Sequence, residues 1–132
     1  MSAIFRFQNF EIWERAGALS SRLFKVADVL EDKKKYRFAE QFRAAALSIT
    51  NNIAEGSGSL SDVEFRNFLN ISRRSAFEFA SMLMLFSKEG YLDSLDVTPL
   101  LSELEEVSKM IAGFMNTLNN KLKARKFRYP NS

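Results

Sequence analysis

The side chains of this chain that could do chemistry fall into four groups, and each has a plainer structural use. Glu103, Glu105 and Glu106 are its densest carboxylates. A paired acid and base needs one carboxylate held in an apolar setting. Nothing around these three provides that, and as the opening turns of a helix they complement its dipole. Ser48, Asn52 and Glu55 recur at steps of four and three, so they share one helical face. They are either hydrogen-bonding groups for a ligand or a polar seam, in which Ser48 admits a close backbone and Asn52 and Glu55 tie the following turn. We prefer the seam. Gly56-Ser57-Gly58-Ser59 resembles a phosphate-cradling loop, but no strand precedes it and no Gly-Lys-Ser/Thr follows. A connector ahead of a helix cap accounts for it better. Arg66 and Arg73 stand seven apart with Asn70 between them, Arg74 follows on the same helix, and Arg43 on the preceding helix can join them or pair with a glutamate. Arginines that clear a helical bundle can contact phosphates. Equally, Arg66 can bridge Asp62 four residues back, leaving a solvated face.

Composition narrows the chemistry. The chain has 132 residues, with no cysteine and no histidine. Disulfides, zinc-thiolate sites, thiol catalysis, the commonest general base and the Glu-x-x-His motif of di-iron bundles are therefore excluded. We expect no cofactor and no metal. The opening segment lacks the apolar core of a secretion signal, and no stretch is apolar enough to span a membrane. A cytoplasmic setting is expected. The net charge is only +3, but it is unevenly placed. Lys33, Lys34, Lys35 and Arg37 fill one connection, while Lys121, Lys123, Arg125, Lys126 and Arg128 crowd the C-terminal end. Such runs are commonly solvated surface, and they can also meet phosphate.

The elements that must position these residues are helices. Apolar residues recur at steps of three and four throughout, and no run alternates with period two. The spacing predicts helices over about 9–31, 36–55, 61–89 and 98–121, with 122–132 a frayed basic tail. Asn9 is the expected first N-cap, Gly56 a C-cap, and Ser61 with Glu64 a capping box carrying a Leu60–Phe65 staple. Gly90 should end the third helix with a Phe86–Tyr91 contact, and Pro99 should sit at the first position of the fourth. Matched lengths and short connections predict an all-α, antiparallel up-down-up-down four-helix bundle in one domain. Thirteen phenylalanines, and second apolar stripes at Phe10, Trp13 and Phe24, at Phe77, Met82 and Leu85, and at Leu101, Met110 and Met115, exceed what one bundle needs. They point to self-association.

Phe7-x-x-Phe10-x-x-Trp13, then Gln41-x-Arg43-x-Ala45-x-x-Ser48-Ile49, then Asn52-Ile53-Ala54-Glu55-Gly56 form a recognisable pattern. Glu64-Phe65-x-x-Phe68-Leu69, Ser75-x-x-Glu78 and Gly90-Tyr91-Leu92 continue it. Together they resemble the bacterial four-helix-bundle proteins first described as encoded in intervening sequences of 23S rRNA genes. The resemblance covers about residues 5–120. It implies a ring-like homopentamer, with Trp13, Ser48, Asn52, Glu55, Gly56, Ser75 and Glu78 as signature structural residues, and it implies no established enzyme activity. A related branch, the accessory variability determinant of diversity-generating retroelements, is implied to bind a reverse transcriptase and nucleic acid through a basic surface. This chain departs from the pattern at Ala44 and Arg74, where arginine and glycine are common.

The expectation is thus a non-enzymatic, self-assembling scaffold or interaction protein that associates with RNA or a nucleic-acid-processing protein. Arg43, Arg66, Arg73, Arg74, Lys121, Lys123, Arg125 and Lys126 are the candidate contacts. A protein-only adaptor that docks a partner helix is the first alternative, and a carboxylate- or metal-dependent enzyme using Asn52, Glu55 or Glu78 is the second.

Overall fold

Four helices form close to where the apolar spacing puts them. A computed structural model describes residues 4–128, and among the described residues there is no strand. A short 3₁₀ helix, Arg6–Asn9, leads into α1, Glu11–Asp32; α2 spans Tyr36–Ser57, α3 Asp62–Lys88 and α4 Ser94–Arg128. α1 packs on α2, α2 on α3 and α3 on α4, while a less extensive α1–α4 contact closes the bundle. The predicted stripes are its core. Leu19, Leu23, Phe42, Ile49, Ile53, Phe65, Leu69, Phe79, Leu83, Leu104 and Ile111 are all buried, each contributing roughly 1.5–3 kcal/mol of apolar burial. In α1 Ala27 is fully buried, and its neighbour Val26 is only half-buried against the core.

Several ends differ from expectation. Asn9 belongs to the 3₁₀ helix, and Phe10 stands at the start of α1 with no side-chain cap. Ser61 does cap α3, its Oγ accepting from the Glu64 N–H at 3.2 Å. The staple fails, because Leu60 is fully exposed while Phe65 is buried. Pro99 lies inside α4, not at its first position. Asp93 starts that helix instead, with Oδ1 accepting from the Leu95 N–H at 2.8 Å. Burial of Leu92 and Val97 holds this added turn against the bundle. At the other end α4 runs on to Arg128, through residues expected to fray. Lysine and arginine are good helix formers and favour the C-terminal pole of the helix dipole, so no apolar stripe is required there. The rest of that expected tail, 129–132 with Pro130, lies outside the described residues.

Two matching turns close one end of the bundle. At Gly90 (φ +79°) the Tyr91 N–H donates to the Phe86 carbonyl and the Gly90 N–H to that of Ser87, the predicted ending. At the end of α1 the Lys35 N–H donates to Leu30 and the Lys34 N–H to Glu31, the same geometry with Lys34 at φ +63°. Lys33 Nζ then donates to the Tyr91 carbonyl at 2.6 Å, and Lys35 Nζ lies 4.5 Å from the Tyr91 ring centre. The lysine run is therefore a brace between two turns. Aromatic rings fill both ends. Phe42, Phe79 and Phe86 stack at one, with Phe38 and Tyr91, and Phe10, Phe65 and Phe114 meet at the other under the Arg6 guanidinium. Much of the phenylalanine excess is thus absorbed within the single chain.

α2 is approached closely from both sides. Ser20 of α1 donates to the Ala46 carbonyl at 3.1 Å, and Ser72 of α3 donates to that of Ile49 at 2.5 Å. Ser48 Oγ and Ser75 Oγ lie 2.7 Å apart, and Asn52 Nδ2 donates to both the Ser48 carbonyl and its hydroxyl. Ser48, Asn52 and Ser75 form a seam bonded to one another, with Ser75 also reaching the Ile71 carbonyl, while Glu55 stays exposed outside it. Gly56 is not a cap: α2 passes through it to Ser57. A Cβ there would stand 2.8 Å from the Phe65 ring and 2.9 Å from Phe68 Cβ, so glycine is required for space.

These geometries have consequences for stability. Gly56→Ala gains helix propensity but overpacks against Phe65 and Phe68, and should lose about 1–2 kcal/mol in urea unfolding. Lys34→Gly relieves a left-handed residue at a greater benefit than its added chain entropy, and should gain about 0.5–1 kcal/mol in the same measurement.

Candidate nucleic-acid interface

α3 and α4 run side by side with a trough between their outer faces, and the cations expected to meet phosphate divide according to whether they reach it. Arg43 does not. It joins α2 to α1 through Asp28 at 2.8 Å and Glu31 at 2.9 Å. The hydrogen bonds it donates to Asp28 and then Glu31 raise its guanidinium above the ordinary value. Arg74 is exposed and lines neither part of the trough. Arg66 does reach it, but not by the expected bridge to Asp62. Its Nη1 donates to Asn119 Oδ1 of α4 at 2.9 Å, and Asp62 faces Lys121 at a long 3.9 Å.

Around that Arg66–Asn119 bond lies a polar groove of about 500 Å³. α3 contributes Val63 and Arg66; α4 contributes Asn116, Asn119, Asn120, Leu122, Lys123 and Lys126. Three of the candidate cations therefore converge, and among the described residues none of the three has a carboxylate within bridging distance. Arg125 is exposed on the same helical end without lining the groove. The asparagines were missed from the sequence. Their signal is the spacing 116, 119, 120, 123 and 126, one face of a helix whose other exposed positions favour charge.

Further along the trough the lining turns apolar. A cleft of about 890 Å³ is bounded by Phe77, Met84 and Leu85 of α3 and Leu101 of α4. Phe77, Met84 and Leu85 are 56%, 57% and 54% exposed, a large share for such side chains. Arg73 stands beside it with its guanidinium 4.7 Å from the Phe77 ring centre, and its buried Nε has no hydrogen-bond partner among the described residues. Of the other second-stripe residues, Phe10, Trp13, Phe24, Met82, Met110 and Met115 pack against the core without lining the cleft, while Leu101 does both.

The carboxylates take structural partners. Because α4 begins at Ser94, Glu103, Glu105 and Glu106 sit beyond its first turn, not at its opening. Glu103 binds Arg15 of α1 at 2.8 Å, and Glu105 binds Lys109 at 3.0 Å. The hydrogen bond that each donates to its glutamate raises Arg15 and Lys109 above their ordinary values. Glu55 and Glu78 are exposed on different helices, and Asn52 is committed to Ser48. Among the described residues no three acidic side chains gather in a way that could hold a metal ion, and no helix is long and apolar enough to cross a membrane.

The fold has a solved counterpart. A crystal structure of a protein of unknown function from the S23 ribosomal protein family of Bacteroides thetaiotaomicron superposes with a TM-score of 0.75 at 21% identity, covering 79% of this chain and 97% of that one. At that identity the likeness speaks to the fold alone. No curated protein matches the chain. The model of the 23S rRNA-intervening sequence protein family matches residues 8–113, from the Phe10–Trp13 start through the Ser48–Asn52 seam and Gly56 to the middle of α4. On that match, the chain belongs to the 23S rRNA-intervening sequence protein family.

Proposed function

We propose that this protein is a non-catalytic, self-assembling interaction scaffold that associates with structured RNA through the α3/α4 trough. The observation that carries the RNA reading is the partition of its cations. Arg15, Arg43 and Lys109 are taken up by carboxylates, whereas Arg66, Lys123 and Lys126 line one groove without one. Unpaired cations in a concave site favour a polyanion, because binding releases its condensed counterions. The family's name ties its members to a ribosomal RNA gene, which agrees with that choice of polyanion. The exposed, separated positions of Glu55 and Glu78 support the non-catalytic reading, since neither has the apolar surroundings a tuned acid or base needs.

A second observation supports self-assembly. Phe77, Met84 and Leu85 form a contiguous apolar wall beside Arg73, and a second copy of the chain covering it would remove that surface from water. A homopentamer is the assembly implied by the family resemblance. A partner helix from another protein is the competing occupant.

The RNA reading is tested by fluorescence anisotropy with a structured RNA at about 50–200 mM salt. Replacing Arg66, Lys123 and Lys126 together with glutamine should weaken binding at least tenfold and flatten the salt slope by about three, one for each phosphate no longer neutralised. Arg43→Gln should leave both unchanged, and wild-type binding that is absent at the low salt would sink the RNA reading. Assembly is tested by light scattering at micromolar concentration, which should give several times the 15.1 kDa chain mass. Phe77→Asp with Met84→Asp should then return a helical monomer; a wild-type monomer would refute assembly.

A further inference from the structure

We infer that the amide-lined end of the α3/α4 trough is a site for duplex RNA, reading the ribose 2′-hydroxyls beside the phosphates. This rests on the RNA reading above and goes further, because it specifies which form of nucleic acid the groove takes and which residues discriminate.

The first ground is cost. Asparagine is a poor helix former, several tenths of a kcal/mol worse per position than alanine, lysine or glutamate. Three on one face of α4, at 116, 119 and 120, are therefore expensive in a helix that needs its propensity there. Packing explains only Asn119, whose Oδ1 accepts from Arg66. Asn116 and Asn120 are exposed, line the groove, and make no hydrogen bond among the described residues.

The second ground is chemical match. A carboxamide both donates and accepts, as does a ribose 2′-hydroxyl. The A-form minor groove is wide and shallow and displays those hydroxyls, so it admits short side chains from a helix face. Asn116 to Lys126 covers about 15 Å of helix axis, which sets amides toward one end and cations toward the other. Amides over the ribose would leave Lys123 and Lys126 over the adjoining phosphates, with Arg66 bonded to Asn119 at the base of the groove.

The third ground decides against a single strand. Such sites stack bases on aromatic rings. Among the described lining residues there is no aromatic; the apolar members are Val63 and Leu122. The exposed ring of the trough, Phe77, belongs to the separate apolar cleft.

The test compares anisotropy of three probes at equal salt: an RNA hairpin, a DNA hairpin of the same sequence, and a single-stranded RNA of equal length. The expected order is RNA hairpin tightest, by at least tenfold over the other two. Asn116→Ala with Asn120→Ala should erase the RNA-over-DNA preference while leaving the salt slope unchanged, and alanine at these exposed sites maintains the helix. Lys123→Gln with Lys126→Gln should weaken all three probes and flatten the slope. Equal affinity for RNA and DNA hairpins, tighter binding of the single strand, or a preference that survives the asparagine substitutions overturns this inference and leaves general RNA association standing. No binding to either RNA overturns both.

Discussion

Gly56 has no side chain, and the Phe65 ring and Phe68 Cβ stand 2.8 and 2.9 Å from where a Cβ would be. That close approach sets the start of α3 against the end of α2. The contact continues along both helices through small residues, with Ser72 donating to the Ile49 carbonyl and Ser48 meeting Ser75. Ser20 brings α1 to the other flank of α2 in the same way. α2 is thus the helix from which its neighbours take their position. The Ser20 and Ser72 hydroxyls are satisfied by its carbonyls, which offsets the cost of burying them. Because α3 is fixed on α2 by one face, its outer face meets α4, and the trough exists as a consequence.

Charge follows the same architecture. Where two helices are joined by an ion pair, the cation is withdrawn from any external partner: Arg15 by Glu103, Arg43 by Asp28 and Glu31. The lysine run after α1 is used as well, bracing the turn at Tyr91. Most of the basic end of α4 escapes this: beyond Leu118, the last buried residue among those described, Lys121 alone has a carboxylate in range, Asp62 at 3.9 Å. A net charge of only +3 therefore conceals a local concentration of unpaired cations. The likeness to the Bacteroides thetaiotaomicron structure at 21% identity indicates that the bundle tolerates wide change in side chains. The groove's asparagines and lysines lie beyond residue 113, outside the family match.

The helices themselves were legible in the sequence, because helical periodicity, the Ser61 cap and the Gly90 ending act within a few residues of one another. Local signals failed where a distant contact overrode them. Gly56 looked like a helix end and proved to be space for Phe65; Pro99 looked like a beginning until burial of Leu92 and Val97 added a turn before it. The excess of phenylalanine suggested an interface, and most of it fills the ends of a single bundle. The candidate site was half legible. Arg66, Lys123 and Lys126 could be named as cations, but their separation from Arg43 and Arg74 could not be read from spacing.

By itself, then, the sequence determined the number and class of the elements, the faces they bury and the family they belong to, since all of these reside in short-range pattern. Only the tertiary structure decided which arginines are spent on carboxylates, which asparagines are left without partners, and that Arg66 meets Asn119 across the trough. Those outcomes depend on the rotation and register of one helix against another. Residues far apart in the chain set both, through the closeness that Gly56 and the serines allow.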